Sequence, residues 1–274
     1  LLNAIRRILL HLDAQLELTV GQATDAGRKD QNEDCIGVRI PDQPLLTMKG
    51  VVAVIADGVS SAEAGKEASE TSVRNFISDY YGTPDAWSVK TAGQKVLLAL
   101  NRWLVGQSQI RGHITTFSSV IFKSQQAYIF HIGDTRIYRL RDNHFECLTQ
   151  DHCTQINKDT VYLARAMGMS SRLEIDYRQL ALEQGDIFFL STDGIHDYLS
   201  EKHIQGVLTN SPLDFEGQCR RLIEEALAAG SHDNLSCQIL KIEKLPDVDN
   251  QEIYKRLSAL RFPPPLEAGQ SLDG

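Results

Sequence analysis

Two apolar runs in the chain end on the same dipeptide: Val51-Val52-Ala53-Val54-Ile55-Ala56 runs into Asp57-Gly58, and Ile187-Phe188-Phe189-Leu190-Ser191-Thr192 runs into Asp193-Gly194. Each pattern predicts a buried strand that delivers a carboxylate to its own rim, followed by a glycine that permits a sharp turn or a close approach of backbone to an ion. A third acidic dipeptide, Asp233-Asn234, stands just before Leu235-Ser236-Cys237-Gln238-Ile239-Leu240, so its carboxylate enters a strand instead of leaving one. Glu33, Asp34, Asp134 and Asp197 fall at further expected strand ends and turns. Carboxylates gathered in one place cannot all stay ionised unless a cation neutralises them. An all-oxygen donor set favours the hard ions Mg2+ and Mn2+, and the chain has no H-E-x-x-H or C-x-x-C pattern that would point to zinc. Two such ions about 3.5–4 Å apart, sharing one carboxylate, can hold a bridging water as hydroxide and direct it in line at a phosphoryl group. Phosphoester hydrolysis is the chemistry these residues imply as a set, although any one Asp-Gly alone is most often just a turn.

The elements that would position these acids follow from periodicity. Residues 15–20 and 35–40 alternate as strands, with 27–34 as a polar loop between them. Residues 62–80 carry Ala64, Ala68, Val73, Phe76, Ile77 and Tyr80 at helical spacing and stop at Gly82-Thr83-Pro84. Residues 86–107 present Val89, Val96, Leu97, Leu100, Trp103 and Leu104 as one apolar stripe, so two helices are expected to pair here. From Thr115 the period becomes that of strands, at 117–122, 127–132, 136–140 and 144–148. Gly133-Asp134-Thr135 and Arg141-Asp142-Asn143 read as turns of an antiparallel meander. The 187–192 strand joins it, and helices follow at about 201–208 and 214–229. This order predicts an α+β fold: a four-layer α-β-β-α sandwich, with two antiparallel β-sheets packed face to face and helices on both outer faces. The two Asp-Gly strands resemble each other only locally, which excludes an internal repeat.

Composition sets outer bounds. The 274 residues suit one large domain, expected at 15–245, with an N-terminal extension at 1–14 that forms a short helix. Residues 246–274 are expected to form a C-terminal helix, marked by Ile253, Leu257 and Leu260, and a tail or linker stiffened by Pro263-Pro264-Pro265. A formal charge of −8 argues against general nucleic-acid binding. The five cysteines form no C-x-x-C pair and suit a reducing cytoplasm. No apolar stretch approaches the roughly 20 residues that span a bilayer. A monomer is expected.

Taken in order, Asn32-Glu33-Asp34, Ala56-Asp57-Gly58 with Ala64-Gly65 and Ala68-Ser69, Thr115-Thr116, Gly133-Asp134-Thr135-Arg136, Leu148-Thr149-Gln150-Asp151-His152, Ser191-Thr192-Asp193-Gly194 and Asp233-Asn234 form a motif series. It resembles that of the metal-dependent type 2C serine/threonine protein phosphatases, the PPM family, in its bacterial-type branch, over roughly residues 18–242. The resemblance implies hydrolysis of phosphoserine and phosphothreonine in proteins by direct attack of a bridging metal-bound hydroxide. It makes Asp57 the carboxylate shared by two Mg2+ or Mn2+ ions, with Gly58 lending its carbonyl. Asp193 and Asp233 would complete the first metal site, Asp34 or Glu33 would hold the second, and Asp134 would help Asp193 bind a weaker third ion. Asp197 and Asn234 would orient ligands and waters around them. The partners implied are a phosphorylated protein substrate and a cognate serine/threonine kinase. A noncatalytic phosphoprotein-binding module, or a phosphomonoesterase for small molecules, are the alternatives on the same fold; the first would be marked by loss of the acids, which are intact here.

The chain departs from the family pattern at several points. Where an Arg for the phosphate is usual, five residues before Asp34, this chain has Lys29, with Arg28 adjacent. Lys supplies a point charge without the bidentate fork of Arg, and either residue is a candidate. Val59 stands where many eukaryotic members carry a His and cannot give a proton. His152 and His196 read as structural. The interval between His152 and Ala164 is shorter than the flap of many bacterial members, which predicts a more open site. The Pro-rich tail resembles the linker that enters a kinase domain in fused phosphatase-kinase proteins.

Overall fold

The computed structural model describes residues 15–59, 62, 64–157 and 160–246. The extension at 1–14 and the helix and Pro-rich tail expected beyond residue 246 lie outside the described residues.

Two five-stranded antiparallel sheets face each other. The first contains, in spatial order, β1 (Glu17–Asp25), β12 (Leu235–Lys244), β11 (Ile187–Ser191), β6 (Arg136–Arg141) and β7 (His144–Cys147). The second contains β10 (Asp176–Ala181), β5 (Gln126–Ile132), β4 (Phe117–Lys123), β3 (Val51–Asp57) and β2 (Asp34–Arg39). The apolar runs are continuous because the central strands are covered on both faces. Along β3, Val51, Ala53 and Ile55 turn to the space between the sheets, while Val52, Val54 and Ala56 turn to the helices outside. In β12, Leu240 and Ile242 face inward and Leu235, Cys237 and Ile239 face out. Each such Val, Ile, Leu or Phe contributes about 1.5–3 kcal/mol through burial.

The outer layers follow the same logic. Against the second sheet lie α2 (Gly65–Gly82) and α3 (Val89–Arg111), through Ala68, Val73, Phe76, Tyr80, Leu97, Leu100 and Leu104. The first sheet is covered by α5 (Glu201–Asn210) and α6 (Phe215–Ala228), through Ile204, Val207, Leu222 and Ile223. Ser200 caps α5 by accepting the His203 N–H, and Asp214 caps α6 by accepting the Gly217 N–H. The end of α2 is tied to the start of β3: Tyr80 donates its hydroxyl proton to the Lys49 carbonyl at 2.9 Å and Tyr81 donates to the Gly50 carbonyl at 2.7 Å. The buried Lys49 ammonium, at the end of the short α1 (Leu45–Lys49), donates to the carbonyls of Thr83 and Pro84 at 2.7 and 3.3 Å and pairs with Asp85. These contacts fix one end of β3, whose other end is Asp57.

One expectation needs correction. The expected meander is broken at Gly133-Asp134-Thr135: β5 and β6 lie in different sheets, and this segment is the corner that carries the chain between them. Both edges of β5 are already taken, by β4 and β10, so β6 finds its partners in β11 and β7. The strand β10 had no legible apolar run, with exposed or half-exposed residues throughout, and without it the free edge of β5 looked available. The interval after His152 is a two-stranded sheet of its own, β8 (Cys153–Asn157) with β9 (Thr160–Leu163).

Phe76 on α2 is fully buried and meets Phe117 of β4 edge to face, at a centroid distance of 4.9 Å. Phe76→Ala is expected to cost about 3–5 kcal/mol of stability, read as a lowered urea midpoint at unchanged m-value. A loss under 1 kcal/mol would show that the α2 layer does not depend on this contact.

Candidate metal centre

Asp34 opens β2 and Asp57 closes β3, and the two are register partners across the antiparallel pair. Asp193 follows β11 as the first residue of α4 (Asp193–His196), Asp233 precedes β12, and Asp134 occupies the corner between β5 and β6. All five therefore reach the same end of the sandwich. Burial first, then the charges of Asp34, Asp193, Asp134 and Asp233, push the Asp57 carboxyl well above the ordinary carboxylate range. Burial likewise raises Asp34 to about 7, opposed by hydrogen bonds from Ser236 and Thr192. Burial and the Asp233 charge raise Asp193 to about 8. Asp134 is raised as well, mainly by burial.

The surrounding hydrogen bonds fix these acids while leaving oxygens free. The Asp57 N–H donates to Thr116 Oγ1 at 2.8 Å, and its carbonyl accepts from the Thr116 N–H at 2.8 Å and from the Thr115 hydroxyl at 2.9 Å. Thr115 is held in turn by a reciprocal backbone pair with Met167. The Asp57 backbone is thus pinned without using its carboxylate. For Asp34, one oxygen is fixed: Thr192 Oγ1 accepts from the Ser236 N–H at 3.0 Å, so its own proton goes to Asp34 Oδ2 at 2.9 Å. The other oxygen, Asp34 Oδ1, and Asp193 Oδ1 are buried without a hydrogen-bond partner among the described residues. A buried carboxylate oxygen left without a partner is costly unless something electropositive meets it.

Among the described residues, no three His, Cys, Asp or Glu side chains are placed closely enough to hold an ion as they stand. Mg2+ and Mn2+ usually keep several waters, so the carboxylates that hold them need not close into a finished cage. Two orphaned carboxylate oxygens in a set of five aspartates, of which Asp34, Asp57, Asp134 and Asp193 have raised proton affinity, fit an ion of that kind.

Several expected residues occupy distinct places around this set. Lys29 brings its Nζ to Asp233 Oδ1, and Asp57 and Asp193 also act on its charge. Arg28 turns away, with Nη1 3.3 Å from His232 Nδ1 and Nη2 donating to the Leu227 carbonyl. Glu33 lines a groove with Gln31, Lys66, Glu67 and Glu70 at the start of α2, and its Oε1 and the Gly58 carbonyl carbon each lie 3.0 Å from where a Cβ on Gly65 would stand. Gly58 donates its N–H to the Glu33 carbonyl at 3.1 Å, and a Cβ there would stand 2.3 Å from the Gly65 carbonyl, so the close approach requires glycine. Asn234 spends its amide on the 26–33 loop, accepting from the Glu33 N–H and donating to the carbonyls of Ala26 and Gln31, all at 2.9 Å. Asp197 is raised by burial, with Arg136 opposing. His196 is buried with Nδ1 2.9 Å from Ser191 Oγ, and His152 Nδ1 accepts the Gly133 N–H at 3.1 Å. Both histidines are committed to the framework.

The sequence reading gave no role to the hydroxyls of Thr115, Thr116, Thr192 and Ser236, or to Cys153, whose Sγ lies 3.5 Å from Asp134 Oδ2. A hydroxyl residue directly beside an acid at a strand end, as in Ser191-Thr192-Asp193, was the available signal.

Comparison with known proteins agrees with this architecture. Residues 28–238 match the family model described as Protein phosphatase 2C. A Listeria welshimeri protein named serine/threonine phosphatase stp is 27% identical over 247 residues, covering 81% of this chain and 94% of that protein. The crystal structure of Stp1 from Staphylococcus aureus superposes with a TM-score of 0.73 at 22% identity, covering 85% of this chain and 98% of the other. The catalytic domain of the phosphatase PstP, solved in complex with 2 manganese ions, superposes with a TM-score of 0.69 at 22% identity, covering 83% and 99%. Since the match runs from the loop bearing Lys29, through every strand that ends on an aspartate, into β12, the chain belongs to the protein phosphatase 2C family.

Proposed function

We propose that this protein is a metal-dependent phosphatase that hydrolyses phosphoserine and phosphothreonine in proteins. The observation that carries the reading is the convergence of Asp34, Asp57, Asp134, Asp193 and Asp233 with two carboxylate oxygens left unpartnered. The names of its relatives and the manganese in the PstP neighbour support it. Asp57 would be the carboxylate shared between two ions, Mg2+ or Mn2+, with the Gly58 carbonyl beside it. Asp193 and Asp233 would serve one ion, Asp34 or Glu33 the other, and Asp134 with Asp193 a weaker third. When bound, such ions supply an activated water and offset charge on the phosphoryl oxygens.

The chain's own residues do the rest. Thr115 and Thr116 hold Asp57 in place through its backbone, and Thr192 keeps Asp34 turned so that Oδ1 faces inward. Lys29 attracts the phosphate dianion as a point charge. Asn234 seats the loop that carries Lys29. Val59 has no proton to give, and His152 and His196 are both bound to framework groups, so none of the three protonates the leaving alkoxide. The substrates are products of a serine/threonine kinase. No described helix is long and apolar enough to cross a membrane.

Two tests follow from the acids. Asp57→Asn and Asp193→Asn are each expected to lower Mn2+-supported hydrolysis of a phosphothreonine peptide on the order of 10³-fold, equivalent to several kcal/mol of lost charge stabilisation, with circular dichroism unchanged. Activity that survives both substitutions and excess chelator rules the reading out, and sugar phosphates turned over faster than phosphopeptides would favour a small-molecule phosphatase.

The second test is pH-dependent stability without metal. Asp34, at about 7, and Asp193, at about 8, lie above the ordinary carboxylate value of 3.8, so the metal-free fold binds more protons than the unfolded chain and loses stability as pH rises through this range. Buried His131, lowered to about 4, and buried His196, lowered to about 3, act the other way below their ordinary value of 6.5. The acids are therefore read between about pH 6.5 and 8. In EDTA the melting temperature is expected to fall across this window, and saturating Mn2+ should abolish the fall. A melting temperature in EDTA that rises there would contradict the buried acid cluster.

A further inference from the structure

Lys29 contacts Asp233, one of the residues to which a metal role has been given above. Its placement is dictated by backbone. The chain turns at Gly27, with φ of +62°, and a Cβ at that position would come within 2.2 Å of the Asp233 carbonyl. The Lys29 N–H closes the turn on the Ala26 carbonyl at 3.2 Å, and Asn234 fastens both ends of the loop through Ala26 and Gln31. The loop therefore sits on the Asp233-Asn234 dipeptide itself. From there the ammonium pairs with Asp233 Oδ1 and acts on Asp57 and Asp193, while the neighbouring Arg28 faces His232.

We infer that Lys29 is a displaceable counter-ion: it neutralises part of the acid cluster before metal loads, must release Asp233 for a divalent ion to take that oxygen, and then turns to the phosphate. The inference rests on the metal-dependent reading above and deepens it. A single ammonium cannot offset five carboxylates, so the cluster still attracts a divalent ion. An ammonium and a metal ion cannot both make full use of the same carboxylate oxygen, so metal entry costs the Lys29–Asp233 pair. The four-carbon stem lets Nζ swing while the backbone turn stays fixed, and a compact ammonium exchanges partners more readily than a planar guanidinium held by two parallel bonds. Lys29 thereby opposes metal binding and assists substrate binding. Neither a purely structural lysine nor one that only contacts phosphate gives that combination of signs.

The experiment uses the full chain, with Mn2+ as the probe. Free Mn2+ is followed by electron paramagnetic resonance in wild type, Lys29→Met and Lys29→Arg without substrate, and KM for a phosphothreonine peptide is measured at saturating Mn2+. Lys29→Met is expected to bind Mn2+ about two- to fivefold more tightly, the worth of a partly exposed ion pair, and to show a raised KM. Lys29→Arg keeps the charge and should not tighten Mn2+ binding. As a measurement on the unaltered protein, reductive methylation of Lys29, read by mass spectrometry, should accelerate when Mn2+ is added and slow again with inorganic phosphate. Unchanged or weaker Mn2+ binding by folded Lys29→Met, or methylation of wild type indifferent to Mn2+, overturns the inference. Wild type that binds no Mn2+ overturns the metal-dependent reading as well, which separates the two failures.

Discussion

Asp34 and Asp57 leave neighbouring strands at the same level, as register partners, and three further aspartates press on them from the facing sheet and from the corner between sheets. Like charges directly opposite each other across an antiparallel pair are destabilising even at a surface, and burial multiplies the effect. The rest of the structure is arranged so that this end can exist. The sandwich keeps its cohesion elsewhere: in the core between the sheets, in the two helix layers, and in the ties from Lys49, Tyr80 and Tyr81 at the opposite end of β3. Stability made in those places is what permits five carboxylates to be held within reach of one another.

The two sheets must also be kept from separating where their carboxylates repel. The Thr192 hydroxyl does this directly, since it joins the end of β11 in one sheet to Asp34 at the start of β2 in the other. The bond has a fixed direction because the Ser236 N–H already occupies the threonine oxygen as acceptor. Repulsion between sheets is thus opposed by a hydrogen bond to the charged group itself, a stronger kind than one between neutral groups. The same bond decides which Asp34 oxygen is left for an ion.

Much of this was legible in the sequence, and the unread part has a physical explanation. Strands covered on both faces announce themselves as continuous apolar runs, so β3, β4, β11 and β12 and the acids at their ends could be located. The amphipathic helices α2, α3, α5 and α6 were visible by their spacing for the same reason. β10 was invisible because it is an edge strand with little buried apolar surface, and its absence turned a corner between sheets into an apparent hairpin. A turn sequence such as Gly133-Asp134-Thr135 is compatible with both; only the occupancy of the β5 edges decides. At the site, residue type identified the acids but not their directions. Glu33, just before β2, lines the groove at α2, while the adjacent Asp34, the first residue of β2, joins the cluster. Arg28 and Lys29 diverge in the same way.

The acids also differ in how firmly they are held, and that difference bears on how the centre works. Asp57 ends a central strand whose backbone is bonded on both sides by Thr115 and Thr116, so it has one position. Asp233 lies in the turn before β12, partly exposed, with a flexible lysine as its partner. The carboxylate proposed to be shared by two ions would have to be rigid, because catalytic geometry tolerates errors of only about 0.5 Å. An acid that changes partners must instead be reachable and lightly held. In the proposed centre Asp57 is therefore the fixed member, and the Lys29–Asp233 pair in the adjoining loops is the adjustable one.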